Sequence, residues 1–402
     1  MKYLIILSDG MADYDIPELN GQTPLEYART PNIDILARNA LIGLVQTIPA
    51  GLSPGSDVAN LAVMGYDPLS YYTGRSPLEA VSLGVELADS DLALRCNLVT
   101  LSGEESYRDK CMKDYSAGEI STEESGRLIA DLQSQLGNES FSFHAGISYR
   151  HLVVWKNGCD KNLKLTPPHD ISDRVVGEYL PQGKDGSILL ELMLKSQDIL
   201  KNHPVNRARM EKGQNPANSI WFWGEGRRPS LPGFKDKYGL NGSVVCAVDL
   251  VRGLGICAGL TPVKVAGATG SVETNFAGKA RAALDELKKG KDFVYLHIES
   301  PDEAGHQGNL KSKIWAIEQV DKEVVGLLLN ELDDFRQIRV MILPDHPTPL
   351  STRTHSSDPV PFLIYDKNKP VIDGVGKYDE KSAAGGLFVA DGYTLMDRFI
   401  QG

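Results

Sequence analysis

Three short apolar runs, Tyr3–Ser8, Phe293–Ile298 and Ile338–Leu343, restrict what this chain can fold into more than any other feature of it. None alternates apolar with polar residues, so each reads as a strand buried on both faces, as in a parallel sheet between helices. Each is followed closely by an aspartate: Asp9, Asp302 and Asp345. In open α/β sheets ligands bind beyond the carboxyl ends of the strands. Three strands that deliver carboxylates to one such edge form a pattern that chance seldom produces.

Helical periodicity fills the gaps. Ile314, Ile317, Val320, Val324, Leu327 and Leu328 mark one face of an amphipathic helix. Asn275 to Lys289 reads as another, stopped by Gly290. Strand, helix, strand, helix, strand from about Lys264 to Tyr365 is a βαβ series. From about Asp91 to Lys235 the texture changes to shorter segments, with Ser148–Trp155 and Asn218–Gly226 as strands and glycine- and proline-bearing breaks at Thr166–Asp170 and Glu225–Phe234. The expectation is a mostly parallel sheet flanked by helices, built from residues 1–90 and 240–402, with a smaller α+β domain inserted at 91–239. At 402 residues the chain exceeds the usual size of one core, which agrees with two domains.

The formal charge of −11 and the lack of any basic tail argue against a nucleic-acid partner. A phosphate bound here is therefore held by a few local Arg or Lys side chains or by a metal. The five cysteines form no C-x-x-C pair, which suits free thiols in a reducing cytoplasm. The apolar run of "MKYLIILSDG" is too short for a signal peptide's core, and no run of about eighteen apolar residues occurs. The expectation is a cytoplasmic protein with no membrane partner.

"SPDEAGH" (Ser300–His306) spaces Asp302 and His306 four apart, so a helical turn puts both on one face. "PDH" adds Asp345 and His346 at a strand end, and His355 follows in the loop behind. With Asp9, this mixed carboxylate and imidazole set suits Zn²⁺ or Mn²⁺ better than Ca²⁺. One ion would leave ligands idle; a pair roughly 3.5–4 Å apart, the usual tool of phosphoryl transfer, would use them all. "GLSPGSDVANLAVMGYDP" (Gly51–Pro68) offers a nucleophile, Ser56, where a Gly/Pro-rich loop enters a helix. Both the helix N-terminus and a nearby metal lower the pKa of a hydroxyl. Ser53 reads as an ordinary loop residue, and Asp57 as a cap or an aid to proton transfer. Singly, each residue has an ordinary reading: a strand-end aspartate as an N-cap, a lone histidine as a packed or surface group. The seven together do not.

These stretches resemble the alkaline phosphatase superfamily, and within it the cofactor-independent phosphoglycerate mutases of the archaeal type. The matching text is "LIILSDGMADYDIPELNGQTPLEYARTPNID", "PGSDVANLAVMGYDP", "YYTGRSPLEA", "HIESPDEAGHQG" and "PDHPTP" with "TRTH". The resemblance implies an alkaline-phosphatase-like core and two divalent ions, Mn or Zn with Mg or Co as further options, and no bisphosphoglycerate. It implies that Asp302, His306 and His355 hold one ion and that Asp9, Ser56, Asp345 and His346 hold the other, so His355 should lie nearer Asp302 than Asp9. It further implies that Ser56 accepts the phosphoryl group while 3- and 2-phosphoglycerate interconvert, and that the inserted domain covers the substrate and adds cationic groups. Arg75, Arg150, His151 and Lys237 lie in family-like contexts, and Arg227 is a further candidate beside Arg207, Arg209 and Arg228. One segment departs: "DYSAGE" (Asp114–Glu119) stands where the archaeal-type mutases carry "DRRAGR". Arginine is hard to replace where it grips an anion bidentately. The alternatives are a phosphotransferase on another small hydroxy or amino acid, homoserine kinase-like, and a metal-dependent phosphomonoesterase.

Overall fold

The computed structural model describes residues 1–159, 161–371 and 374–402. The chain divides into two compact units, residues 1–72 with 230–402 and residues 73–229. The strands are β1 (Lys2–Ser8), β2 (Ala40–Val45), β3 (Leu92–Leu101), β4 (Met112–Asp114), β5 (Phe141–Ile147), β6 (Arg150–Trp155), β7 (Ser219–Gly226), β8 (Gly242–Val245), β9 (Thr261–Val263), β10 (Phe293–Ile298), β11 (Ile338–Leu343), β12 (Val360–Asp366) and β13 (Leu387–Val389).

In the first unit eight strands form one sheet in the order β13-β2-β12-β11-β1-β10-β8-β9. It is mixed but mostly parallel: only β12 runs against its neighbours, β11 and β2. β1 lies at the middle, parallel to β10 and β11, with Ser8 opposite Ile298 and Leu7 opposite Leu343. That register brings the carboxyl ends of all three strands to one level. Both faces of β1 are covered, which is why its side chains do not alternate. Leu4 and Ile6 join one core with Ala283, Leu284 and Ile317 from the helices Phe276–Lys288 and Leu310–Gln319. On the other face Tyr3 meets Phe399 edge-on at 5.6 Å.

The helix Phe276–Lys288 starts at Asn275, whose side chain accepts the Gly278 N–H, and Gly290 follows with φ +115. The amphipathic face from Ile314 to Leu328 is not one α-helix. A π-turn, Val320–Val325, separates Leu310–Gln319 from Gly326–Glu331. Such turns insert one residue. Here the buried Asp321 accepts from Ile33 N and Asn32 Nδ2, each at 2.8 Å, at the start of the helix Pro31–Ala37.

The second unit has its own core around β3, whose ten residues are all buried. β3 pairs antiparallel with β4, β6 and β7, and β5 pairs with β6. Leu128, Leu132, Leu189 and Met193 from the helices Thr122–Leu136 and Gly186–Leu200 pack in the same core as Val153 and Phe222. The unit boundaries fall at 72/73 and 229/230, whereas sequence texture put them at 90/91 and 239/240. The helix Ser76–Ser82 belongs with β3 because Ala80 packs on Ala93, Leu152 and Val154. At the second break Phe234 stacks on Phe293 of β10, 4.4 Å between rings, which draws Phe234–Tyr238 into the first unit.

Candidate active site

The aligned strand ends of β1, β10 and β11 build the site. Asp9 follows β1 directly, and Asp345 and His346 follow β11 after one proline. Past β10 the chain enters the short helix Ser300–His306, which carries Asp302 in its first turn and His306 in its last. Ser56 is the first residue of the helix Ser56–Val63, with Gly55 as its N-cap. Gly10 lets these parts close up: its φ is +61, and a Cβ there would lie 2.6 Å from both Asp302 Cα and Thr348 Oγ1.

Two clusters result. His306 Nε2 lies 3.2 Å from Asp302 Oδ2, and His355 Nε2 lies 3.5 Å from Asp302 Oδ1 and 2.9 Å from His306 Nε2. His306 Nδ1 is 3.0 Å from the Arg353 carbonyl, so it donates there and Nε2 is the nitrogen that faces the cluster. Next to it, His346 Nε2 is 3.4 Å from Asp345 Oδ2, 3.6 Å from Asp9 Oδ1 and 3.1 Å from Ser56 Oγ. His346 also groups with Asp302 and His355, so it stands between the two clusters. All seven residues singled out in the sequence are brought together here.

Three carboxylates are buried in this volume: Asp9 and Asp345 at 0% exposure and Asp302 at 3%. Burial, reinforced by Asp345, raises the Asp9 carboxyl well above its ordinary range. Burial works against ionised Asp302 as well, but the His306 and His355 rings outweigh it and hold this carboxyl well below that range. The same contact with Asp302 lifts His306 to about 9, and burial lowers His346. Asp9 Oδ1 is buried with no hydrogen-bond partner among the described residues. Closely packed buried anions with a bare oxygen need a positive charge among them. Imidazole nitrogens and carboxylate oxygens converge there, and this donor set fits a divalent cation.

The chain is similar to known proteins along its whole length. A family model described as 2,3-bisphosphoglycerate-independent phosphoglycerate mutase matches residues 37–206. A Geobacter sulfurreducens protein named as a probable mutase of that kind is 51% identical over 402 residues, covering 100% of both chains. The Methanosarcina barkeri mutase is 49% identical over 387 residues, 96% of each. The chain belongs to the 2,3-bisphosphoglycerate-independent phosphoglycerate mutase family. Two solved structures share its fold. A Pyrococcus horikoshii protein has a TM-score of 0.84 at 31% identity, covering 100% of this chain and 96% of its own. The cofactor-independent phosphoglycerate mutase of Thermoplasma acidophilum has a TM-score of 0.69 at 26% identity, covering 100% and 99%.

The expected substrate-binding residues of this mutase family member are placed less uniformly. Lys237 lies in the first unit, where its ammonium donates to the Gly65 carbonyl and sits 5.0 Å from the Tyr66 ring. In the second unit Arg75 Nε donates to Glu79 at 3.0 Å, and the Arg150 guanidinium lies over Tyr149. Arg227 grips the carbonyls of Ser90 and Gly158. His151 is 2% exposed and its Nδ1 accepts the Gly146 N–H at 3.0 Å.

Four neighbours of the site were not picked out in the sequence. His297 Nε2 is 3.0 Å from Asp9 Oδ2, Glu299 joins the same group, and Thr348 Oγ1 donates to Asp302 Oδ1. Asn60 Nδ2 donates to Asp345 Oδ2 at 2.8 Å. A histidine within the otherwise apolar "FVYLHI" and an asparagine within the apolar "SDVANLAV" were the available signals.

Proposed function

We propose that this protein interconverts 3-phosphoglycerate and 2-phosphoglycerate through a phosphoserine at Ser56, beside two divalent cations. The observation that carries this reading is the placement of Ser56 Oγ at a helix N-terminus, 3.1 Å from His346 Nε2, where the two carboxylate–histidine clusters meet. A site that only held structure would have no use for a hydroxyl there. Asp302, His306 and His355 are assigned to one ion, and Asp9, Ser56, Asp345 and His346 to the other. Divalent cations so held neutralise phosphoryl oxygens and lower the pKa of the serine hydroxyl, and Mn²⁺ and Zn²⁺ suit the mixed donors.

Ser56 Oγ bonds to phosphorus as the bond to the C3 oxygen of the glycerate breaks. The proton that leaves Ser56 is balanced by the one gained by the departing oxygen. The glycerate turns, and its C2 oxygen takes the phosphoryl group back, restoring the serine. The inserted unit is assigned the retention of glycerate through Arg75, Arg150, His151 and Arg227, and Lys237 of the first unit is a further substrate-binding candidate.

The test is incubation of metal-loaded protein with 3-phosphoglycerate, following 2-phosphoglycerate through a coupled enolase reaction. Turnover is expected with Mn²⁺ or Zn²⁺. No turnover with Mn²⁺, Zn²⁺, Co²⁺ or Mg²⁺ sinks the reading, and release of free phosphate in place of 2-phosphoglycerate favours a phosphomonoesterase. Ser56→Ala should lower transfer at least about a thousandfold while the Asp302 cluster keeps its ion.

A further inference from the structure

Asn60 lies four residues after Ser56, one turn further along the same helix face. It is fully buried, and after Ser56 and Asp57 it is the one polar residue of Ser56–Val63. A buried amide is costly unless its hydrogen bonds are made, and here all are. Asn60 Nδ2 donates to the Ser56 carbonyl and to Asp345 Oδ2, both at 2.8 Å, and Asn60 Oδ1 accepts from Tyr295 Oη at 2.6 Å. The amide has only one workable orientation. Turned over, its oxygen would face a carbonyl and a carboxylate, neither of which can donate. The Tyr295 hydroxyl, itself buried on β10, is the donor that holds the amide this way round.

These bonds close a ring. Ser56 is tied through Asn60 to Asp345, Asp345 Oδ1 accepts the backbone N–H of His346 at 2.9 Å, and His346 Nε2 returns to Ser56 Oγ at 3.1 Å. The helix that carries the hydroxyl and the strand end that carries Asp345 belong to different elements. Asn60 ties the two together, through the Ser56 carbonyl on its own helix and Asp345 Oδ2 at the strand end. We propose that Asn60 is a positioning residue that sets Ser56 and Asp345 in mutual register through one amide, with Tyr295 fixing the direction of that amide. The proposal rests on the reading of Ser56 as nucleophile and Asp345 as metal ligand.

The test uses the full chain, stripped of metal and titrated with Mn²⁺ by calorimetry, then assayed at saturating Mn²⁺. Asn60→Ala should weaken one of two Mn²⁺ sites about 10- to 100-fold, the usual effect of removing a group that orients a ligand, and leave the other unchanged. With both sites filled, kcat should stay about 10- to 100-fold low while KM moves less than about threefold, because substrate contacts are untouched. Tyr295→Phe keeps the ring in the core and frees the amide to turn; its kcat should fall about five- to tenfold. Equal weakening of both sites, or wild-type kcat at saturating Mn²⁺ in either variant, overturns the proposal. If Asn60→Ala fails to fold, Tyr295→Phe decides alone. The titration needs no substrate: a wild type that binds two Mn²⁺ yet moves no phosphoryl group defeats the mutase reading, and the inequality of the two sites still decides the role of Asn60.

Discussion

His151 shows how one side chain ties stability to pH. Its ring is buried, and Nδ1 accepts a backbone N–H, so burial pushes its pKa down to about 3 and keeps it neutral. Once unfolded it regains an ordinary value near 6.5. Below that pH the unfolded chain takes up a proton that the native chain refuses. Stability contributed by this group is therefore complete above about 6.5 and declines as pH falls towards 3, by ~1.4 kcal/mol per pH unit. Urea titrations between pH 4 and 7 should show that slope, reduced in His151→Asn; an unchanged slope would remove His151 from the account. The same scale explains what was readable in advance. Asp9, Asp302 and Asp345 could be found because a strand end places its side chain without help from elsewhere. Asn60 and His297 could not, because their meaning lies in the register that sets Tyr295 and Asp9 against them.

Among the elements, the helix Leu310–Gln319 is fastened to the site's loops by one ion pair. Lys313 Nζ, fully buried, reaches Asp13 Oδ2 at 2.7 Å and the carbonyls of Ala12 and Thr348 at 3.2 and 2.8 Å. It thereby clamps the loop after β1 to the loop that runs from His346 to His355. Removing one partner of a buried pair strands the other charge, so Lys313→Met should cost about 3–5 kcal/mol in denaturant unfolding. The double variant with Asp13→Asn should recover part of that loss. A single variant as stable as wild type would show that the pair does not hold the loops. The strands β1, β10 and β11 were legible as non-alternating runs, and the helix over Phe276–Lys288 through its cap and its glycine stop. The reversed direction of β12 was not, because an apolar run reads alike whichever way the strand points. The π-turn was missed for a related reason: one inserted residue barely disturbs a helical pattern, and its cause, Asp321 meeting the start of another helix, is distant in sequence.

At the scale of the whole molecule, the inserted unit leaves and re-enters the chain at neighbouring points. Thr73 Oγ1 donates to the Arg227 carbonyl at 2.6 Å. Together with its separate core, this predicts that residues 73–229 fold when expressed alone, with one cooperative unfolding transition that added Mn²⁺ does not shift. Residues 1–72 joined to 230–402 by a short Gly/Ser bridge should keep the metal sites, read as a rise in melting temperature with Mn²⁺. A joined chain that folds but does not respond to Mn²⁺ would place the metal chemistry elsewhere. Sequence texture set the insertion at 91–239, whereas the compact unit spans 73–229, because a helix such as Ser76–Ser82 shows which core it serves only through Ala80 packing beneath β6. The central position of β1 has a consequence for how the protein is made. β1 has its partners far along the chain, at Phe293–Ile298 and Ile338–Leu343, so during synthesis both its edges stay bare until the first of those segments has been made. The inserted unit, which has a core of its own, can be finished in that interval. The nascent chain therefore carries a sticky, unpaired apolar strand through that interval, and that strand is where a chaperone has most to protect.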